Sequence, residues 1–132
     1  MGMPEKTAKQ ILGDKYPKIV SRPGPVASRP NGNDMNKTEA MYSRRLERQL
    51  LSGEILDWKY EALTFRLAHR CGYTPDFMVI SQTEIQIHEV KGGFVREDAW
   101  IKWKMAAEQH PEFRFYICIY SGGRWKIQEC RH

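Results

Sequence analysis

Two acidic residues and one lysine in the middle of the chain are the side chains best placed to do chemistry together. Asp76 follows a proline, and Glu89 and Lys91 lie on a short apolar segment further on, with twelve residues between the two acids. Mg²⁺ and Mn²⁺ prefer oxygen ligands such as carboxylates. A lysine beside such an ion can orient or deprotonate a water molecule, or stabilise charge on a phosphate. The residue types therefore point to metal-assisted hydrolysis, provided that the fold brings them together.

A hairpin register derived from apolar residues places the two carboxylates face to face. Side chains alternate between the two faces of a strand, and a four-residue loop after Ile80 pairs Ile80 with Ile85. The same register places Asp76 opposite Glu89, with Cβ atoms about 4.5–5.5 Å apart, and puts Lys91 on the same face. A slip of one residue would turn one apolar set to the other face. Because facing carboxylates repel each other, this register favours a bound cation between them.

Each of these features has a simpler interpretation when it is taken alone. An aspartate after a proline is commonly a turn residue, and Glu-x-Lys on a strand is commonly an exposed salt pair. Only the combination of Asp76, Glu89 and Lys91 with the register of the apolar pairs favours a functional site.

The elements that must position these residues form a mixed pattern of helices and strands. Asn36 is predicted to cap a first helix with Glu39 as its capping-box partner, and Gly53 is predicted to end it. A second helix is predicted over 97–110, before Pro111. The predicted order is α-β-β-β-β-α-β-β, which favours a mixed β-sheet with helices packed on it, in the α/β (α+β) class. The six predicted strands cover 55–60, 63–67, 73–80, 84–91, 113–120 and 125–129.

Length and composition limit the possible classes of protein. The chain has 132 residues with 21 Lys or Arg against 16 Asp or Glu, so its net charge of +5 permits a polyanionic partner without demonstrating one. The longest apolar run, 115–120, is far shorter than the roughly 20 residues of a membrane span, so no membrane association is expected. Cys71, Cys118 and Cys130 have no zinc-ligand spacing. We therefore expect a cytoplasmic protein in a reducing environment.

The first 35 residues differ from the rest of the chain. Residues 1–35 contain five of the seven prolines and six basic against three acidic residues. This composition predicts a basic, irregular arm, with a short helix conceivable over 7–12, ahead of a folded domain over 36–132. The arm has two open interpretations: a flexible terminus, or a segment that contacts nucleic acid or a second subunit.

The spacing of the acids and the lysine resembles a known motif. Pro75-Asp76 followed by Glu89-Val90-Lys91 resembles the PD-(D/E)xK motif of metal-dependent nucleases. The surroundings are similar to a small family of phage and prophage proteins of that fold, over about residues 36–120. The matching blocks are Asn36–Ala40, Tyr73–Phe77, His88–Gly92 and the helix that holds Asp98, Lys102, Lys104 and Ala106-Ala107-Glu108.

The resemblance implies a restriction-endonuclease-like fold and a role for each motif residue. Asp76, Glu89 and the Val90 carbonyl would bind Mg²⁺ or Mn²⁺, and Lys91 would assist the attacking water. An acid from the first helix often joins the metal site in that fold, and Glu39 is the matching residue here. On the residues alone, Glu39 is simply the capping partner described above. Glu61 is a weaker candidate for the same role.

The resemblance also implies DNA as the substrate. Arg44, Arg96, Lys102 and Lys104 could contact the phosphate backbone, although they could equally form a solvated surface. Phage junction-resolving enzymes of this fold suggest branched DNA, a homodimer, and the cytoplasm of a bacterium or a phage-infected host. Two alternatives stay open: a non-catalytic nucleic-acid-binding module on the same fold, or a phage accessory protein that acts through protein contacts.

Overall fold

Two sheets and two helices make up the part of the chain that the computed structural model describes, residues 19–21 and 35–130. Most of the predicted arm, including the conceivable helix over 7–12, lies outside these residues. The predicted mixed α+β class is confirmed, and the order of elements agrees roughly with the prediction. The elements are β1 Ile19–Ser21, α1 Lys37–Ser52, β2 Asp57–Tyr60, β3 Leu63–Ala68, β4 Cys71–Tyr73, β5 Phe77–Ile80, β6 Ile85–Gly92, α2 Glu97–Gln109, β7 Arg114–Ser121 and β8 Arg124–Glu129.

The larger sheet has five strands in the order β2-β5-β6-β7-β8. Strands β6 and β7 are parallel, and the other neighbours are antiparallel. Parallel neighbours need a long crossover connection, which α2 supplies here. The smaller sheet is antiparallel with the order β1-β3-β4.

The prediction of one continuous strand over 73–80 was wrong. Tyr73 ends β4 in the small sheet, whereas Phe77 begins β5 in the large sheet. Pro75 lies between them, and a proline has no N–H with which to continue a strand ladder. The chain therefore changes sheets immediately before Asp76.

A short strand lies within the predicted irregular arm. Ile19–Ser21 pairs with β3 in the small sheet. Three residues are too few to show an alternating pattern, so sequence periodicity could not have indicated this strand.

The predicted register of the central hairpin is confirmed. Strands β5 and β6 pair Ile80 with Ile85 at the loop end, and the ladder runs on to Phe77 opposite His88. Extended by one residue, this register places Asp76 opposite Glu89.

Buried side chains cover both faces of the large sheet. On one face, here called the α2 face, Met78, Ile87 and Phe115 pack with Trp103 of α2 and with the small sheet. On the other, the α1 face, one cluster packs against α1; it contains Tyr42, Leu46, Phe77, Val79, Val90 and Cys118. Burial on both faces explains why the central strands are almost continuously apolar.

Both helices begin close to the predicted positions. The capping box of α1 between Asn36 and Glu39 is confirmed, and Gly53 ends the helix in the left-handed conformation, with φ 85°. In α2, Trp103 is fully buried. Neither described helix has the length and apolar character that a membrane crossing requires.

Candidate functional site

The two motif carboxylates lie side by side at the point where the β5–β6 ladder ends. Asp76 precedes β5, Glu89 lies on β6, and both are buried, with 8% and 7% of their surfaces exposed. The backbone N–H of Val90 donates a 2.8 Å hydrogen bond to Oδ2 of Asp76. No β5 residue lies opposite this N–H, so the side chain of Asp76 accepts its hydrogen bond instead.

Burial and mutual repulsion perturb Asp76 strongly. Its pKa is raised to about 8, chiefly by burial and then by the charge of Glu89, with a smaller contribution from Glu39. The hydrogen bond from Val90 opposes this shift. At neutral pH the pair therefore resists carrying two negative charges unless a cation or a proton compensates for them.

Glu89 is held from two directions. The hydroxyl of Tyr73 donates a 2.7 Å hydrogen bond to its Oε1, and Nζ of Lys91 lies 3.1 Å from its Oε2. Burial, followed by the charge of Glu89, raises the pKa of Tyr73 well above its usual value, so the hydroxyl stays protonated and donates. The structure thus brings Asp76, Glu89 and Lys91 together, as predicted, and adds Tyr73.

Sequence reasoning did not identify Tyr73 as part of the site. Tyr73 belongs to the small sheet and reaches Glu89 across the interface between the two sheets. No spacing rule within one strand or one hairpin could have indicated this contact.

Tyr73→Phe is expected to destabilise the metal-free protein by about 1–3 kcal/mol. The substitution keeps the buried ring and leaves Oε1 of Glu89 without its donor, which costs about that much for a buried charged acceptor. Chemical denaturation in EDTA measures the change.

Tyr120→Phe is the matched control for this prediction. The Tyr120 ring packs on Trp125, and its hydroxyl makes no hydrogen bond to another described residue, so a change below about 0.5 kcal/mol is expected. Equal losses for both variants would contradict the assigned role of the Tyr73 hydroxyl.

Glu39 both caps α1 and adjoins the carboxylate pair. Its backbone N–H donates to Asn36, and its Oε1 accepts from the Asn36 backbone at 3.1 Å and from the Tyr60 hydroxyl at 2.8 Å. Glu39 also raises the pKa of Asp76 through its charge and a hydrogen bond. The two interpretations of Glu39 are therefore compatible in space, and Tyr60 is a second neighbour that the sequence did not reveal.

The side chains around the pair limit how a metal ion could be held. Among residues 19–21 and 35–130, no three His, Cys, Asp or Glu side chains form a group that could bind a metal. Glu39 therefore adjoins Asp76 without completing a three-residue ligand set. The carbonyl of Val90 faces the same strand edge as its N–H, toward Asp76. Two carboxylates and one carbonyl suit Mg²⁺, which usually keeps several water ligands.

Glu61 lies at the end of β2 with its backbone in the left-handed region, φ 47°. Its N–H donates a 2.8 Å hydrogen bond to the carbonyl of Asp76. Glu61 thus supports the backbone of Asp76, while its suggested role as a ligand stays a prediction.

The two lysines of α2 lie on opposite sides of that helix. Successive helical residues are about 100° apart, so Lys102 and Lys104 lie on either side of the buried Trp103. Nζ of Lys104 lies 5.9 Å from the ring centre of Trp100, and Lys104 lines a groove beside β8. The two lysines are therefore directed to different parts of the surface.

The two arginines that are predicted to contact the DNA backbone are also at the surface. The Arg96 side chain is 78% exposed and lies 3.5 Å from that of Asp98, which is also exposed. Arg44 is exposed on α1. Both can reach an external partner, and their contact with DNA stays a prediction.

A buried polar cluster fixes α1 to the sheet behind the carboxylate pair. The Tyr42 hydroxyl lies 2.6 Å from Nδ1 of His88 and accepts a 3.2 Å contact from the Cys118 thiol. Burial, followed by the charge of Arg45, lowers the pKa of His88 to about 3, so this histidine is neutral. The cluster helps to hold α1, and therefore Glu39, beside Asp76.

No family model, no curated protein and no solved structure matches this chain. The resemblance to PD-(D/E)xK nucleases therefore depends on the motif residues and their positions alone.

Proposed function

We propose that this protein is a Mg²⁺- or Mn²⁺-dependent endonuclease that hydrolyses DNA phosphodiester bonds. The observation that carries the proposal is the buried pair of Asp76 and Glu89, with the ammonium group of Lys91 3.1 Å from Glu89. Burying two repelling carboxylates is costly. A divalent cation relieves that cost.

The carboxylate pair and the residues around it have distinct roles in the proposed reaction. Asp76, Glu89 and the Val90 carbonyl would hold the ion, which lowers the pKa of its bound water and offsets phosphate charge. Lys91 has a 30% exposed side chain, so its ammonium group can reach both Glu89 and a phosphate at the surface. There it orients the attacking water or stabilises the charge that develops. The hydroxyl of Tyr73 keeps Glu89 in place.

The preference for branched DNA and the homodimer come from the resemblance to phage junction-resolving enzymes, which is an argument by analogy. The exposed Arg44, Arg96 and Lys102 offer phosphate contacts that position DNA without reading its sequence.

A panel of labelled DNAs tests the proposal directly. Branched, linear duplex and single-stranded DNA are incubated with the full chain and Mg²⁺, Mn²⁺ or EDTA. We expect cleavage with either metal and none with EDTA. Cleavage in EDTA, or an absence of cleavage on every substrate with both metals, would overturn the proposal.

One observation favours a non-catalytic nucleic-acid-binding module instead. Both carboxylate oxygens of Glu89 already have partners within the protein, Tyr73 and Lys91. The same panel separates the two functions, because a binding module retains DNA in a mobility-shift assay without cutting it. Absence of binding as well as cleavage would point to an accessory protein that acts through protein contacts.

A further inference from the structure

A groove of about 930 Å³ runs between α2 and the edge strand β8. It begins beside the proposed site, because Phe94 in its wall follows Lys91 by three residues, at most about 11 Å along the chain. Its floor includes Gln128, which pairs with Ile117 of β7, two strands away from Glu89. The groove thus lies on the same face of the large sheet as Glu89 and Lys91.

Phe94 is the most unusual residue of this groove. Its side chain is 76% exposed, although it is a large aromatic ring. Gly93, directly before it, has φ 91°, a conformation that turns the chain and favours glycine. Ile101, which is 51% exposed, and the half-buried Trp100 line the same groove. Two of the four exposed large apolar side chains in the described part of the chain, Phe94 and Ile101, therefore line this groove.

The charges around the groove favour an anionic occupant. Lys104 lies over the ring of Trp100, and Lys126 is an exposed residue on the same face of β8 as Gln128. Of the two acids in the lining, Glu129 is paired with Arg114 at 2.7 Å. The other, Glu97, lies in the first turn of α2, where the helix dipole stabilises its charge.

We propose that this groove binds an unpaired nucleotide of a DNA strand beside the site of cleavage. A base stacks on Phe94 against Trp100, while Lys104 and Lys126 neutralise the neighbouring phosphates. Aromatic side chains stack on any base, and interspersed cations follow the backbone, which is how single-stranded DNA is commonly held. The inference rests on the proposed nuclease function and narrows its substrate to DNA with unpaired nucleotides next to a duplex.

Fluorescence anisotropy in EDTA tests the proposal on the full chain without any cleavage. The probes are a labelled blunt duplex and the same duplex with a single-stranded dT tail. Phe94→Ala is expected to weaken binding of the tailed duplex about tenfold, which lies within the range for the loss of one base–aromatic stack. Binding of the blunt duplex is expected to change less than twofold. Phe94→Trp, which keeps an aromatic face, is expected to retain tail binding.

Leu51→Ala is the matched control, because Leu51 is 80% exposed and lies at the far end of α1. We expect it to change neither affinity. Equal weakening of both probes by Phe94→Ala, or no weakening of either, would overturn the groove proposal while leaving the nuclease proposal intact. Tail-selective binding without metal-dependent cleavage would reject the nuclease and keep the groove. No binding of any DNA by the unsubstituted chain would reject both.

Discussion

Glu89→Gln is expected to reduce metal-dependent DNA cleavage at least about 1000-fold. The substitution keeps the size of the side chain and an oxygen that can accept from Tyr73, and it removes the negative charge that is proposed to hold the metal ion. A catalytic metal supplies several kcal/mol of transition-state stabilisation, and each 1.36 kcal/mol is a factor of ten in rate. Single-turnover cleavage of branched DNA with saturating protein measures the loss in the chemical step.

Glu84→Gln is the matched control for this experiment. Glu84 lies directly before β6 and also contacts a cation, Arg114, at 3.5 Å, but it is at the opposite end of that strand from the site. The cleavage rate of the Glu84→Gln variant is expected to stay within twofold of the rate of the unsubstituted protein. Circular dichroism and thermal melting confirm that both variants are folded. Cleavage by a folded Glu89→Gln protein at more than a tenth of the normal rate would contradict the assigned ligand.

The second large effect is a loss of stability of the metal-free protein as the pH rises toward 8. The pKa of Asp76 is about 8 in the folded protein, against 3.8 without perturbation. Between these values the folded state binds more protons than the unfolded state, so the free energy of unfolding falls with rising pH. The slope from this one group is at most about 1.4 kcal/mol per pH unit.

His88 acts in the opposite direction at lower pH. Its pKa is lowered from 6.5 to about 3, so the unfolded state binds more protons between these values and stability rises with pH there. The two slopes oppose each other below about pH 6.5. Above that value the contribution of His88 is constant, and the decline due to Asp76 is expected to stand out.

Asp76→Asn isolates the contribution of Asp76. The amide oxygen can still accept from the backbone N–H of Val90, but the side chain no longer titrates or repels Glu89. In EDTA, Asp76→Asn is expected to match the unsubstituted protein near pH 4 and to become progressively more stable than it up to pH 8. Urea denaturation across this pH range measures the difference in the free energy of unfolding between the two proteins. His88 contributes equally to both, so its contribution cancels in that difference.

Metal addition supplies the complementary result. Because the proposed Mg²⁺ ion would bind only the folded site, its addition is expected to stabilise the unsubstituted protein at pH 8 more than Asp76→Asn. A difference between the two proteins that does not vary with pH in EDTA, or a large destabilisation by Asp76→Asn, would contradict the close pairing of the carboxylates.

Local patterns in the sequence were sufficient to determine the central hairpin and the first helix. The pairing of Ile80 with Ile85 was correct because only one register buries the apolar side chains of both strands. The cap of α1 by Asn36 and Glu39 was correct because its hydrogen bonds join residues three positions apart. The hairpin register predicted that Asp76 lies opposite Glu89 and on the same face as Lys91.

Only the tertiary structure determined what surrounds that pair. Because β4 and β5 are separate strands, Tyr73 lies in the small sheet, and its hydroxyl donates a hydrogen bond to Glu89 in the large sheet. Tyr60 reaches Glu39, and Tyr42 reaches His88, between residues that lie 21 and 46 positions apart in the chain. Alternation and capping relate residues a few positions apart. Contacts between two sheets, or between a helix and a sheet, depend instead on how whole faces pack, and no local spacing in the sequence encodes that packing.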